Sequence, residues 1–278
     1  MQSNHQTGTA PGKLILCGEH AVVYGQKAIA FAVDLTTKAT IRPRTGPTNV
    51  RRVEDSLVQE AAQMVLGPNW EVSLTSTIPI GRGMGSSAAL AVALVKARHR
   101  DLTFDSLFQS ALPVEKLFHG NPSGLDVAVS ARGGVLLFQR PCQLQSLACP
   151  SWQVVVLDTQ QQSSTAQMVR YVDSQRPRVD SIIDQIGDLV EEAAKTIGDP
   201  ITLGEILNDN QRLLAKMGVS NHHLDELVRL ARHCGAYGAK LSGAGGGGVV
   251  LALIEDPEPL LVQCNRRQVP AWVCRPWS

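Results

Sequence analysis

The sequence predicts a folded protein in which helices and strands are mixed, with one or two domains. Its 278 residues are 44% hydrophobic and 18% charged, which is enough apolar chain to bury a core. Apolar residues recur at strand spacing in several short runs and at helical spacing over long stretches of the second half. The stretch 140–151 has two prolines and no periodicity, so we place a boundary near residue 150, between domains 1–150 and 151–278.

In the first domain, short apolar runs bounded by turn residues predict strands, and apolar residues three or four apart predict helices. Pro113 lies inside a predicted helix and should break or kink it. The predicted strands are 14–17, 28–33, 36–42, 72–75 and 135–138, and the predicted helices are 53–65, 86–99 and 105–118.

The second domain is predicted to be mainly helical. Its helices have a pronounced apolar face, and two of its strands flank a glycine-rich loop. The predicted helices are 179–190, 202–217 and 222–234, and the predicted strands are 152–157, 239–242, 249–254 and 269–272.

Charge and composition exclude several classes of partner. Lys and Arg number 26 against 25 Asp and Glu, and this net charge of +1 argues against a nucleic-acid binder. No apolar run reaches the ~18 residues that cross a bilayer, and the first residues lack the order of a secretion signal. The six cysteines are widely spaced, which favours reduced thiols. We therefore expect a cytoplasmic protein with a small-molecule partner and no membrane association.

The segment 79–90 follows a predicted strand and opens a predicted helix. Three glycines between residues 81 and 85 allow backbone N–H groups to approach a ligand, and a helix N-terminus favours an anion. Ser86 and Ser87 are predicted N-cap residues, and a hydroxyl there can also ligate Mg²⁺. The pattern is neither a Walker A loop nor the dinucleotide fingerprint. It predicts a phosphate-binding loop, with a plain strand-to-helix turn as the alternative.

A second glycine-rich segment lies between the strands predicted at 239–242 and 249–254. Five of the six residues 243–248 are glycines, which costs more backbone entropy than a hairpin turn requires. We therefore predict that another group approaches this backbone closely. A flexible hairpin is the alternative.

Charged residues elsewhere are further candidates for chemistry. Glu115 lies on a predicted helix, and a turn of Asn, Pro, Ser and Gly separates it from Asp126. Two such carboxylates can divide the work of phosphoryl transfer, one bound to a metal and the other accepting a hydroxyl proton. Lys13 and the pair Glu19-His20 interrupt an otherwise apolar stretch. Taken singly, Asp126 is equally well explained as a helix N-cap and the others as solvated surface groups.

Four motifs together resemble the GHMP small-molecule kinases. They are APGKLILCGEHAVVYG at 10–25, PIGRGMGSSAAL at 79–90, HGNPSGLDVAVS at 119–130 and KLSGAGGGG at 240–248, in the family's order. The first and third are most similar to the members that act on mevalonate. The resemblance covers nearly the whole chain. It implies an α+β, two-lobed GHMP kinase fold with an N-terminal mixed sheet with helices and a C-terminal ferredoxin-like α/β sandwich.

The activity implied by this resemblance is Mg²⁺-dependent transfer of the γ-phosphoryl group of ATP to the 5-hydroxyl group of mevalonate. Asp126 would accept or orient the hydroxyl proton, with Lys13 between it and the reacting oxygens. Ser87 and Glu115 would bind Mg²⁺. The other implied residues lie around the ATP phosphates (Gly81, Arg82, Gly83, Met84, Gly85, Ser86, Ser87) or on the substrate side (Glu19, His20, Ser242, Gly243, Ala244).

The chain departs from the family pattern at three positions. Arg82 stands where a small residue is typical, and would either contact phosphate or point to solvent. Ser242 replaces the usual Thr and keeps its hydroxyl, and Val127 replaces a common Asn. Two other functions stay open: a kinase for phosphomevalonate or another alcohol, and a nucleotide-binding regulator without activity, which would need neither Lys13 nor Asp126. The family also suggests a homodimer.

Overall fold

The structure, a computed structural model, describes residues 5–120 and 122–277. The strands are β1 (Gln6–Cys17), β2 (Ala28–Pro43), β3 (Asn49–Val50), β4 (Trp70–Ser76), β5 (Val135–Gln139), β6 (Gln143–Leu147), β7 (Gln153–Asp158), β8 (Gly238–Ser242), β9 (Val249–Ile254) and β10 (Ala271–Cys274). The helices are α1 (Ser56–Leu66), α2 (Ser86–Arg98), α3 (Phe104–His119), α4 (Leu125–Arg132), α5 (Thr165–Ser174), α6 (Asp180–Lys195), α7 (Pro200–Met217), α8 (His222–His233) and α9 (Glu258–Arg266), with a 3₁₀ helix at Ala21–Tyr24.

Among the described residues, the first of two compact units consists of residues 5–13, 35–79, 85–120 and 122–133. In it β2 pairs antiparallel with β4, and the short β3 pairs in parallel with β4, so the sheet is mixed as predicted. α2 is at the centre, because α1, α3 and α4 all pack against it. Nine of its thirteen residues are buried, and most are alanines, whose small side chains let neighbouring helices approach closely.

α3 continues across Pro113, so of the two predicted effects, a break or a kink, the break is wrong. Proline removes the hydrogen bond to the carbonyl group of residue 109, but Gln109 and Pro113 both lie on the exposed face of the helix. Water can bond that carbonyl group, and packing against α1, α2 and α4 stabilises the helix. Glu115 and His119 therefore lie one turn apart on a single helix.

The second unit consists of residues 14–34, 80–84 and 134–277. In it β5 pairs antiparallel with β2 and with β6. Four more strands form an antiparallel sheet in the order β10-β7-β9-β8. Helices connect β7 to β8 and β9 to β10, which is the ferredoxin-like arrangement, so the predicted sandwich is confirmed. Its core is aliphatic and includes Val155, Leu157, Ile186, Leu214 and Leu241.

Several elements differ from the sequence-based assignment. The stretch 140–151, predicted to connect two domains, contains β6, whose mostly exposed residues show no apolar alternation. α5 was not predicted, because Val172 is its one fully buried residue. α4 and α9 were also missed, and β1 begins earlier than residue 14. The boundary near residue 150 stays a prediction. Within the described ranges, no helix is long and apolar enough to cross a membrane.

Candidate active site

Lys13 and Asp126 form an ion pair within the first unit. Lys13 Nζ lies 3.1 Å from Asp126 Oδ2, and the two side chains are 3% and 28% exposed, respectively. Asp126 lies in the first turn of α4, where the positive end of the helix dipole stabilises a carboxylate. Gly124 is the N-cap of α4, so the N-cap interpretation of Asp126 is wrong. The pair thus combines a buried cation with a carboxylate that a ligand can reach.

The phosphate loop, residues 81–87, leads into α2. The N-cap of α2 is Gly85 with φ of 73°, rather than either serine as predicted. The first intrahelical bond runs from Ala89 N to Gly85 O at 2.9 Å, so the three preceding amides have no acceptor within the helix and can bind an anion. A Cβ atom at position 85 would lie 2.9 Å from Lys13 Cγ, so only glycine leaves room for the lysine side chain.

Ser87, Glu115 and His119 form a polar cluster in the first unit. His119 Nε2 lies 3.0 Å from Ser87 Oγ and 3.5 Å from Glu115 Oε1. The Glu115 side chain is 2% exposed, so its interpretation as a solvated charge is wrong. Burial, with a further contribution from the Asp126 carboxylate, raises the pKa of Glu115, and burial lowers the pKa of His119. His119 was not among the predicted site residues, although it lies within one of the four motifs.

This cluster fits a Mg²⁺ ion that is also held by phosphate oxygens. Among the described residues, no group of three or more His, Cys, Asp or Glu side chains could bind a metal ion. Mg²⁺ at phosphoryl-transfer sites, however, uses only one or two carboxylates and takes its remaining ligands from phosphate and water. Glu115 Oε2 is buried and has no hydrogen-bond partner in the described part of the chain. A cation would satisfy this oxygen, and Ser87 supplies a nearby hydroxyl.

Glu19 and Lys240 form an ion pair in the second unit, and neither side chain is exposed. Lys240 Nζ also donates a hydrogen bond to Leu241 O at 2.7 Å. The local sequence around Lys240 does not indicate this role, because the partner of Lys240 lies 221 positions earlier in the chain. The pair connects β8 to the turn after β1, and that turn carries His20.

The other sequence-assigned substrate residues lie near this pair. His20 Nε2 is 2.8 Å from Ala244 O. The Ser242 hydroxyl accepts a hydrogen bond from Ile15 N at 2.9 Å and donates one to Ile15 O at 3.1 Å. All the predicted substrate-side residues therefore lie in the second unit, where the turn after β1 contacts the loop after β8.

The first part of the phosphate loop also lies in the second unit. A Cβ atom added at Gly83 would be 3.4 Å from Ser242 O, so this glycine lies directly against the end of β8. Arg82 Nε lies 2.8 Å from Asp158 Oδ1. The sequence-based alternatives for Arg82, phosphate or solvent, did not include this ion pair.

Replacing Lys240 with methionine should lower the free energy of unfolding by about 3–5 kcal/mol, because the buried Glu19 carboxylate loses this cation. Urea denaturation measures the effect. Lys27→Met, which removes the exposed Lys27–Glu191 pair, is the matched control and should cost less than about 1 kcal/mol. Adding Glu19→Gln to Lys240→Met should restore part of the loss. Equal, small effects of both lysine variants would contradict the prediction.

His20 should make stability depend on pH. Burial lowers the pKa of His20 from its ordinary 6.5, against a smaller opposite effect of its bond to Ala244. The neutral ring is favoured in the folded state. The contribution of His20 to the free energy of unfolding is therefore complete above pH 6.5 and is lost as the pH falls towards the lowered pKa. Unfolding free energies should therefore fall more steeply with acidification in the wild type than in His20→Gln. The exposed His222→Gln should keep the wild-type slope; the same slope in all three would contradict this.

Two family models match the chain. The GHMP kinases N terminal domain matches residues 51–134, and the GHMP kinases C terminal model matches residues 189–265. Together with the glycine-serine loop at the start of α2 and the ferredoxin-like sheet, these matches define the class of protein as a GHMP kinase.

Individual relatives show which family of GHMP kinases the chain belongs to. The mevalonate kinase of Thermococcus sibiricus is 37% identical and aligns with 90% of this chain and 89% of its own. The crystal structure of the Methanococcus jannaschii mevalonate kinase matches with a TM-score of 0.88, 25% identity and 100% coverage of both chains. That of the L. major mevalonate kinase in complex with R-mevalonate has a TM-score of 0.83, 27% identity and coverage of 98% and 96%. The chain belongs to the mevalonate kinase family, which confirms the resemblance found in its sequence.

Proposed function

We propose that this protein transfers the γ-phosphoryl group of ATP to the 5-hydroxyl group of mevalonate, which gives 5-phosphomevalonate and ADP. The observation that carries the proposal is the ion pair of Lys13 and Asp126, with Nζ 3.1 Å from Oδ2. A regulator that only binds nucleotide would need neither residue. Membership of the mevalonate kinase family favours mevalonate over the other acceptors.

Asp126 is the group that we assign to the hydroxyl proton. Its carboxylate is 28% exposed, so an acceptor hydroxyl can come within hydrogen-bond distance, where Asp126 orients it and accepts its proton. The Lys13 ammonium compensates the negative charge of this carboxylate. It also stabilises the charge that develops on the reacting oxygens in the transition state, and its burial makes that interaction stronger than it would be in water.

The phosphate loop binds the ATP phosphates in this proposal. Residues 81–84 of this loop belong to the second unit and residues 85–87 to the first. The free amides at the start of α2 donate to phosphate oxygens. Ser87 and Glu115 would hold Mg²⁺, which when bound neutralises charge on the β- and γ-phosphate oxygens.

The substrate side is formed by Glu19, His20, Ser242, Gly243 and Ala244. The side chains of Glu19, His20 and Ser242 are buried and bonded within the protein. We therefore propose that they act mainly by fixing the shape of the turn after β1 and of the loop after β8, against which mevalonate binds.

The test is an acceptor panel. Purified protein with ATP and Mg²⁺ is given mevalonate, phosphomevalonate, galactose or homoserine, and ADP and the phosphorylated product are measured. Of the four acceptors, we expect only mevalonate to react, with one ADP formed for each 5-phosphomevalonate. Activity should be lost when a chelator removes Mg²⁺. Turnover of another acceptor without turnover of mevalonate would contradict the proposal.

The cysteines support a reducing compartment, and we propose the cytoplasm. Cys264 and Cys274 are buried thiols, and burial raises the pKa of Cys264 to about 11 and that of Cys274 to about 12. Thiols with such pKa values form little thiolate at neutral pH and react slowly. The homodimer suggested by the family stays a prediction, which sedimentation velocity would test.

A further inference from the structure

A segment without any recognised motif contacts both glycine-rich loops of the second unit. We call residues 158–163 the clasp; they follow β7 and precede α5. The clasp contacts Gly81 and Arg82 of the phosphate loop and residues 245–248 of the loop after β8, which we call the glycine loop. The sequence Asp-Thr-Gln-Gln-Gln-Ser gave no reason to expect a role near a ligand.

The clasp is hydrogen-bonded to the backbone of the glycine loop. The N–H and hydroxyl groups of Thr159 both donate to Gly248 O, at 3.0 and 2.6 Å, and Gly248 N donates to Gln161 O at 2.9 Å. Ser163 Oγ donates to Gly245 O at 2.6 Å. A Cβ atom at Gly248, where φ is +84°, would lie 2.9 Å from Arg82 O. Close approach of other backbone segments thus explains the glycines, and the flexible-hairpin alternative is wrong.

The clasp holds the phosphate loop through one backbone bond and one ion pair. Ser163 N donates to Gly81 O at 3.2 Å. Arg82 Nε lies 2.8 Å from Asp158 Oδ1 and 2.9 Å from Oδ2, and the two side chains are 18% and 10% exposed. Asp158 Oδ1 also accepts a hydrogen bond from Gln160 N at 2.7 Å, so the carboxylate is oriented by its own segment.

We propose that Asp158 is a positioning residue for the ATP phosphates, acting through Arg82. This inference rests on the proposed use of residues 81–87 as the phosphate loop. Asp158 fixes the arginine, and the arginine fixes the backbone of its own loop, so the loop amides already face the phosphates before ATP arrives. Such preorganisation increases affinity because less order must be gained on binding.

A positioning role and a purely electrostatic role of Asp158 predict opposite changes in phosphate affinity when Asp158 is removed. Asp158 is a negative charge beside an anion-binding loop, so its removal would tighten phosphate binding if charge alone mattered. If Asp158 instead positions the loop, its removal weakens phosphate binding although the local charge becomes more positive. Asp158→Asn keeps the size of the side chain and separates the two cases.

The experiment is calorimetric titration of the full chain with Mg²⁺ and three probes: ADP, tripolyphosphate and adenosine. For Asp158→Asn we expect the Kd values of ADP and tripolyphosphate to rise about tenfold and that of adenosine to stay unchanged. The matched control is Asp180→Asn, which breaks the exposed Arg176–Asp180 ion pair of the same unit and should leave all three Kd values unchanged. Tripolyphosphate binding that is unchanged or tighter in Asp158→Asn would overturn the inference.

Arg82→Gln tests the same link from the other side and also serves if Asp158→Asn fails to fold. Because both residues act as one unit, the double variant should bind tripolyphosphate within about twofold of the weaker single variant. Losses of tripolyphosphate affinity that multiply in the double variant would overturn the inference.

The wild-type protein distinguishes failure of this inference from failure of the proposed function. Wild-type protein that binds tripolyphosphate but leaves mevalonate unreacted would contradict only the proposed function, whereas wild-type protein that binds no tripolyphosphate would overturn the positioning role.

Discussion

Replacing Asp126 with asparagine is expected to lower kcat about 1000-fold while the Kd of ADP changes less than about threefold. A positioned general base contributes about two to four orders of magnitude to rate, and this contribution arises in the transition state rather than in nucleotide binding. Asparagine keeps the size of the side chain and its place in the first turn of α4. Steady-state kinetics and ADP titration on the same preparation measure the two quantities.

Asp105→Asn is the matched control for Asp126→Asn. Asp105 also lies in the first turn of a helix of the first unit, but it is exposed and belongs to none of the four motifs. It should retain wild-type kcat. If Asp126→Asn kept more than about a tenth of wild-type turnover, Asp126 could not be the base that we assign.

Replacing Glu115 with glutamine is expected to raise the Mg²⁺ concentration for half-maximal rate at least tenfold, with a lower kcat at saturating Mg²⁺. Glutamine removes the negative charge and keeps the shape of a side chain that is 2% exposed, so folding should be retained. Ser87 stays in place and leaves a weakened site. The measurement is the initial rate over a range of free Mg²⁺ at fixed ATP, with circular dichroism to check folding.

The matched control for Glu115→Gln is Glu60→Gln, an exposed glutamate on α1 in the same unit. Its Mg²⁺ dependence should equal that of the wild type. An unchanged Mg²⁺ requirement in Glu115→Gln would assign the metal to other ligands and leave the orphaned oxygen of Glu115 unexplained.

The sequence predicted those parts of the fold and site that depend on local pattern. The alanine-rich helix after the phosphate loop and the strands on either side of the glycine loop follow from such patterns, whereas the ferredoxin-like sheet was implied only by the family resemblance. Lys13 and Asp126 were assigned to one site from the combination of motifs, and their ion pair agrees with that assignment. Apart from the ferredoxin-like sheet, each of these features has a composition or spacing that differs clearly from its neighbours.

What could not be predicted depends on partners that are distant in sequence. In the sequence Lys240 is a single charged residue near the start of a predicted strand, and its contact with Glu19 arises only in the folded chain. Asp158 lies in a polar segment whose use depends on Arg82, 76 positions earlier. The continuation of α3 across Pro113 could not be predicted, because the exposure of Gln109 depends on how the helix packs in the fold.

The close approach of other groups to the glycine loop was predicted from its composition, but the identity of those groups was not. Its composition indicated that some group approaches the backbone closely, and the approaching groups include other backbone segments of the protein. Val219 O lies 2.2 Å from the position of a Cβ atom at Gly245. Packing of this kind leaves no trace in local spacing, because the approaching residues are distant from the glycine loop in sequence.

A crystal structure of the Asp126→Asn variant with mevalonate, Mg²⁺ and a non-hydrolysable ATP analogue would test the central claim most directly. We expect the C5 hydroxyl oxygen of mevalonate within about 3.2 Å of the residue 126 side chain, with the Lys13 ammonium nearby and the γ-phosphorus in line. A C5 hydroxyl group that lies beyond about 6 Å from residue 126, with the analogue bound at the phosphate loop, would contradict the account.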